Sequence, residues 1–66
     1  MDILLNGERR TVDGPLNVMG LLDLLALEPR KIAVERNLEI VPKSLYADTV
    51  IADGDRIEIV QFVGGG

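Results

Sequence analysis

Apolar and polar side chains alternate near both ends of the chain, which is typical of β-strands with one buried face. Residues 3–5 and 9–12 flank Asn6-Gly7, a pair that readily adopts the positive φ angles of a two-residue hairpin turn. Residues 56–62 show the strongest strand pattern and follow the turn residues Asp53-Gly54-Asp55. The pattern therefore predicts a hairpin at the start of the chain and a strand near its end.

A helical period replaces this alternation after residue 17. The apolar side chains recur at the i, i+3, i+4, i+7 spacing of one helical face: Val18, Leu21, Leu22 and Leu25. Asn17 stands where its side chain can cap the first turn, and Glu28-Pro29 is expected to stop the helix. The sequence predicts a helix of roughly ten residues, about 15 Å long. A partner-binding face is the alternative, but a chain this small needs its apolar helix in the core.

Residues 32–34 and 39–41 read as a second pair of extended segments around Asn37-Leu38. The segment that follows has no clean period, and we expect a loop or a single helical turn that carries Leu45 and Tyr46 inward. One helix and about five short strands can bury a single helical face only against one side of a mixed sheet. The predicted fold is α+β, a roll of the β-grasp type.

Side chains of the last strand point alternately to its two faces. Ile57 and Ile59 are expected to face the core, whereas Val60 and Phe62 share the solvent side with charged neighbours. The same alternation places Leu4 on the outer face of the first strand. Single exposed apolar side chains are common, so an ordinary surface is the alternative to a partner surface. The residues predicted to bind a partner are Leu4, Val60, Phe62 and Val63.

The amino-acid composition limits the kinds of chemistry that the chain can perform. It has 66 residues, 7 basic and 11 acidic side chains, a net charge of −4, and neither His nor Cys. Disulfides, thiol nucleophiles, imidazole acid-base chemistry and the usual zinc sites are excluded, and we do not expect an enzyme that works alone. Asp53 and Asp55 flank Gly54 as turn residues more naturally than as a metal or acid-base pair. The net charge could steer association with basic surfaces or serve solubility, and the sequence favours neither.

Other classes of partner are also disfavoured. No basic stripe and no set of aromatic side chains is available for nucleic acid. The most apolar stretch is interrupted by Asn17 and Asp23 and is too short to span a membrane. We therefore expect a cytoplasmic protein that binds neither nucleic acid nor membrane, and that holds no cofactor of its own.

The chain ends in Gly64-Gly65-Gly66, a tail that leaves only backbone and a terminal carboxylate. Without Cβ atoms such a segment can pass through a narrow channel and carry the carboxylate of Gly66 into the active site of another protein. Activation by ATP would make this carboxylate an acylating group, in the manner of a group carrier. A frayed terminus or a remnant of cloning is the alternative. The organisation predicted is one domain, residues 1–63, followed by a flexible tail, residues 64–66.

The ordered set of these features resembles the ThiS family of sulfur carrier proteins, a ubiquitin-like β-grasp family of thiamine biosynthesis. The resemblance covers nearly the whole chain and rests on Asn6-Gly7, Leu21-Leu22, Ala33-Val34 with Asn37, Ile40-Val41-Pro42, residues 53–60 and residues 63–66. Two positions depart from the family pattern. Leu38 replaces the usual Gly after Asn, which leaves the type of that turn open, and Tyr46 replaces a frequent Trp, which is expected to alter packing more than function.

The resemblance implies that the protein is a cosubstrate and not an enzyme. A ThiF-like enzyme would adenylate Gly66 with ATP and magnesium, a cysteine desulfurase relay would supply sulfur, and a ThiG-like thiazole synthase would accept it. A small subunit of molybdopterin synthase would use the same fold and terminus but tends to be longer. Two more functions stay open: a ubiquitin-like modifier of lysine amines, and a β-grasp binding module without covalent chemistry.

Overall fold

The computed structural model describes residues 1–62, and a mixed sheet of five strands forms their centre. The elements are β1 Asp2–Leu5, β2 Glu8–Thr11, β3 Leu16–Asn17, α1 Val18–Leu24, β4 Ile32–Arg36, β5 Glu39–Val41, β6 Val50–Ile51 and β7 Arg56–Gln61. The strand order in the large sheet is β2-β1-β7-β4-β5. β7 runs parallel to β1 and antiparallel to β4, so the last strand lies at the middle of the sheet.

One face of this sheet packs against α1 and forms the core. The helix contributes Val18, Leu21 and Leu22, which are all buried, as the helical period predicted. The sheet contributes inward side chains from β1, β4 and β7, including Ile57. Ile59 is half-buried at the margin of this core. The predicted arrangement of one helix on one side of a mixed five-stranded sheet is therefore confirmed.

The helix begins as predicted but ends earlier. Asn17 Oδ1 accepts a hydrogen bond from the Gly20 amide at 2.7 Å, which caps the first turn. α1 then stops after seven residues, at Leu24, so the expected length of about ten residues is wrong. The reason lies in Ala26, whose φ of 58° is left-handed. Helices commonly end on such a residue, and Pro29 lies too far along the chain to be the stop signal.

The backbone after α1 makes the hydrogen bonds of a Schellman motif. The amide of Ala26 donates to the Asp23 carbonyl at 3.1 Å, and the amide of Leu27 donates to the Leu22 carbonyl at 2.9 Å. These bonds satisfy carbonyl groups that the end of a helix leaves unpaired. Leu27 is thereby turned back against the core as a partly buried side chain.

The segment between β5 and β6 was predicted only in part. A single turn of 3-10 helix covers Lys43–Leu45, and Tyr46 is buried as expected. Burial raises the pKa of the Tyr46 hydroxyl above its usual 10.0, against the smaller lowering effect of a backbone hydrogen bond with Val34. Leu45 is exposed, so its predicted inward orientation is wrong. The short antiparallel pair formed by β3 and β6 was not predicted at all.

Two turns of the same kind close the two hairpins. Asn6 and Gly7 have φ angles of 50° and 83°, and Asn37 and Leu38 have φ angles of 52° and 72°. Positive φ at both central residues is the signature of the two-residue type I′ turn. Leu38 therefore adopts a backbone conformation that usually requires glycine. The presence of Leu in place of the usual Gly leaves the turn type unchanged.

We expect Leu38→Gly to raise the free energy of unfolding by about 0.5–1 kcal/mol. A residue with a side chain costs about 1–2 kcal/mol in the left-handed conformation, and glycine removes this cost. Part of the gain in stability is lost again, because glycine gives the unfolded chain more conformational entropy. Urea unfolding at pH 7 measures the change. Gly7→Ala is the reciprocal control, because nothing lies within 4 Å of the added Cβ and the backbone angle alone should cost about 1 kcal/mol. If Leu38→Gly is less stable than the wild type, the leucine side chain must stabilise the fold by more than its left-handed backbone conformation costs.

Candidate functional site

The outer face of the sheet, away from α1, carries exposed apolar side chains near the end of β7. Val60 and Phe62 are 61% and 52% exposed, as strand alternation predicted. Ile40 lies on the same face. It pairs with Glu35 of β4, and Val60 pairs with Ala33 of β4. Residues two apart in a strand point to the same face, so Ile40 and Val60 do as well. Ile40 is 75% exposed. We call Val60 and Phe62 the outer patch; Ile40 lies two strands away on the same face, level with Glu58.

Sequence reasoning missed Ile40, although a signal was present. A two-residue turn at Asn37-Leu38 sets the hairpin register, which pairs Val34 with Val41 and Glu35 with Ile40. Because Val34 is buried, its partner Val41 points inward and Ile40 must point outward.

Leu4 is on the outer face as predicted, but it does not join the outer patch. Its partner in the parallel β1–β7 pairing is Arg56. Val60 is four residues further along β7, about 13 Å at the usual rise per residue. The structure thus groups Val60 and Phe62 at one end of β7 and leaves Leu4 at the other. Val63 lies outside the described residues, as do the predicted tail residues Gly64, Gly65 and Gly66.

Positive charge lies beside the aromatic ring at the end of β7. The Lys43 ammonium is 5.5 Å from the centroid of the Phe62 ring, within the range of a cation–π interaction. The same ammonium donates a hydrogen bond to the Ile32 carbonyl at 3.0 Å. On the other side the Phe62 amide donates to the Lys31 carbonyl at 2.9 Å. These contacts hold the last described residue against the start of β4.

The start of β7 is held by Asp55, the one buried charged side chain among residues 1–62. Asp55 Oδ2 accepts hydrogen bonds from Arg36 Nε at 2.7 Å and from the Ala52 amide at 2.8 Å, and Oδ1 accepts one from Asn37 Nδ2 at 3.1 Å. Burial by itself raises the pKa of Asp55. The hydrogen bonds and the charge of Arg36 outweigh it, so this pKa lies below the ordinary 3.8.

The turn interpretation of the two aspartates is confirmed. Gly54 has a φ of 86°, and the Asp55 amide donates to the Ala52 carbonyl at 3.0 Å. Asp53 accepts a hydrogen bond from the Asp2 amide at 2.7 Å and so ties this turn to β1. Within residues 1–62 no group of three or more acidic side chains could hold a metal ion. In the same range no helix is long and apolar enough to cross a membrane.

The second half of β7 is held on its β1 side by the side chain of Asn6, at Ile59. Asn6 Oδ1 accepts a hydrogen bond from the Ile59 amide at 2.7 Å, and Asn6 Nδ2 donates to the Ile59 carbonyl at 3.3 Å. The Asn6 backbone amide also donates to the Ile57 carbonyl at 2.9 Å. The sequence indicated Asn6 only as a turn residue, because a contact with a strand 53 residues away leaves no local pattern.

A mixed five-stranded sheet packed on one helix, with the last strand at its centre and three glycines in the sequence after it, defines a ubiquitin-like β-grasp protein. The model of the ThiS family matches residues 3–66. The chain belongs to this family.

Solved and curated relatives agree with this assignment. The crystal structure of a thiamine biosynthesis protein (ThiS) from Geobacter metallireducens superposes with a TM-score of 0.86, at 38% identity and over 100% of both chains. The sulfur carrier protein ThiS of Bacillus subtilis is 53% identical over 47 residues, which cover 67% of this chain and 71% of that protein.

A longer protein contains a similar segment. A thiazole synthase of Paramagnetospirillum magneticum is 53% identical over 66 residues, which cover 100% of this chain. The chain spans only 20% of the length of that synthase, and the same share of a second thiazole synthase, from Magnetococcus marinus, at 42% identity.

Proposed function

We propose that this protein is a sulfur carrier of thiamine biosynthesis and that the carboxylate of Gly66 is its reacting group. The observation that carries the proposal is the family match over residues 3–66, which includes the three terminal glycines. The described residues support it, because a sheet pinned at both ends of β7 is a firm base for a chain end that must reach into another protein.

The proposed chemistry has two steps. A carboxylate oxygen of Gly66 attacks the α-phosphorus of ATP in a ThiF-like enzyme, with magnesium, and forms an acyl adenylate while pyrophosphate leaves. Hydrosulfide then attacks the acyl carbon and AMP leaves, which gives a C-terminal thiocarboxylate. Where the sulfur arrives as a protein persulfide, the attack gives an acyl disulfide, and a thiol then cleaves its S–S bond to leave the thiocarboxylate and a disulfide. Within this chain only the tail takes part, so the protein is a cosubstrate and the enzymes supply the catalytic groups.

We further propose that a cysteine desulfurase relay supplies the sulfur and that a ThiG-like thiazole synthase accepts it in the cytoplasm. The two thiazole synthases that contain a segment similar to this chain support the second part. A carrier joined to its acceptor would raise the effective concentration of the tail at the acceptor site.

Intact mass spectrometry tests the carrier chemistry. The protein is incubated with a ThiF-like enzyme, ATP, magnesium and sulfide, and we expect a mass gain equal to the replacement of one oxygen by sulfur, mapped to Gly66. A variant that lacks Gly66 is the matched control and should unfold in urea like the wild type but gain no mass. The proposal fails if the wild type gains no mass from an enzyme that is active on another carrier.

We expect Phe62→Ala to weaken binding to the adenylating enzyme roughly tenfold, because an exposed aromatic side chain next to the tail is the natural anchor of the outer patch. The free energy of unfolding should change by less than about 1 kcal/mol. Titration calorimetry and urea unfolding measure the two effects. Leu24→Ala is the control, since Leu24 is also exposed, at 63%, on α1 at the far side of the sheet. Equal affinities of the two variants would remove the outer patch from the docking surface.

A further inference from the structure

Two asparagines of the hairpin turns hold the backbone of β7 with their side chains. Asn37 Oδ1 accepts a hydrogen bond from the Arg56 amide at 2.9 Å, at the start of the strand. Asn6 makes a pair of hydrogen bonds with the amide and the carbonyl of Ile59, near its end. The two residues have nearly the same φ, 52° and 50°, and each is the first central residue of its turn. The chain therefore contains a matched pair of contacts, one remote from the tail and one close to it.

The side chain of Asn6 supplies hydrogen bonds to β7 where β1 no longer pairs with it. β1 pairs with β7 only at Leu4 and Leu5, after which the chain turns away at Asn6. The Asn6 amide group then bonds Ile59 as the next residue of a neighbouring strand would. The Phe62 amide bonds Lys31 on the β4 side, so by the alternation of strand hydrogen bonds Gln61 faces the β1 side. Among residues 1–62, Asn6 is the last group that hydrogen-bonds the β7 backbone on the β1 side.

This geometry links the side chain of Asn6 to the position of the chain end. Beyond Ile59 the described strand is held from the β4 side alone, at Gln61 and Phe62, so without Asn6 its end can rotate about that one edge. Gly66 follows Phe62 by four residues, which can span at most about 14 Å. A rotation of the strand end by about 10° would displace a point about 14 Å away by about 2.5 Å. Misplacement of a reacting group by about 1 Å can cost a factor of about 100 in rate.

We propose that Asn6 is a positioning residue, which sets the direction in which the tail leaves the sheet and so presents the Gly66 carboxylate to the adenylating enzyme. The inference rests on the proposed function and deepens it. Asn6 touches neither ATP nor the reacting carboxylate in this account and acts through the backbone of Ile59. Docking by the outer patch is a separate contribution, because Val60 and Phe62 point to the outer face whereas Asn6 bonds the strand edge.

The test compares Asn6→Gly with Asn37→Gly. Glycine tolerates positive φ, so each substitution keeps its turn and removes only the side-chain hydrogen bonds. Carrier-dependent pyrophosphate release is measured with the ThiF-like enzyme at saturating ATP, with both variants shown to be folded at the assay temperature by circular dichroism. We expect Asn6→Gly to lower kcat about tenfold or more with KM for the carrier within about threefold, and Asn37→Gly to leave both within about threefold. A role limited to stability would not separate the two variants.

Asn6→Asp provides the conservative rescue, because its carboxylate keeps the acceptor for the Ile59 amide and loses the donor to the Ile59 carbonyl. Its kcat should lie between those of Asn6→Gly and the wild type. Equal losses of kcat in the two glycine variants would overturn the inference, as would a change confined to KM or no recovery in Asn6→Asp. These results leave the proposed function intact, which fails only if the wild type itself supports no adenylation.

Discussion

Asp55→Asn is expected to lower the free energy of unfolding by about 2–4 kcal/mol, a large part of the stability of a domain this small. Asp55 is 7% exposed and accepts three hydrogen bonds, one of them from a guanidinium. The amide of asparagine has the same shape but only one acceptor oxygen, so a buried donor loses its partner and Arg36 loses its counter-charge. Urea unfolding at pH 7 measures the loss.

Asp53→Asn is the matched control, because Asp53 is exposed and its single acceptor contact with the Asp2 amide can be kept by an amide oxygen. We expect it to cost less than about 1 kcal/mol. Similar losses in the two variants would show that the turn, and not the buried carboxylate, supports the start of β7.

The acid dependence of stability follows from the same carboxylate. Because the pKa of Asp55 is lower in the folded protein than its ordinary 3.8, the folded state favours the ionised form. This contribution to stability is complete at pH values above the unfolded pKa and is lost as pH falls from about 4 through the folded pKa. Between pH 5 and pH 2.5 the stability of the wild type should therefore fall more steeply than that of Asp55→Asn. Parallel curves would contradict the lowered pKa.

Ile57→Ala should cost about 2–5 kcal/mol, the usual loss for a large aliphatic side chain in a core, and could unfold much of the protein at 37 °C. Ile57 is 0% exposed and lies in the central strand, where β1 and β4 flank it. Ile40→Ala makes the same chemical change at a side chain that is 75% exposed, and we expect a loss below about 0.5 kcal/mol. Thermal unfolding followed by circular dichroism compares them. A small loss for Ile57→Ala would place the core elsewhere.

Much of this fold was predictable because its signals are local. The Asn6-Gly7 pair marks a hairpin by its backbone preference alone, and strand alternation was enough to place Ile57 inward and Val60 outward. The stripe of leucines on α1 predicted the packing of helix on sheet in the same way.

The features that escaped prediction depend on contacts between distant parts of the chain or on an unusual backbone. The early end of α1 is caused by a left-handed Ala26, and alanine gives no sign of that conformation in a sequence. The distance of Leu4 from the outer patch follows from the register of a parallel pair, which no turn specifies. The hydrogen bonds between Asn6 and Ile59 likewise form only because β1 and β7 are neighbours in the sheet.

The central position of β7 also sets the order in which the molecule can assemble during synthesis. β1 and β4 do not pair with each other, and both pair with β7. A growing chain that has reached β5 thus contains two separate hairpins, and isolated hairpins are marginal in water. The sheet can close only once β7 has been made. A prematurely terminated chain that lacks β7 would therefore fail to fold.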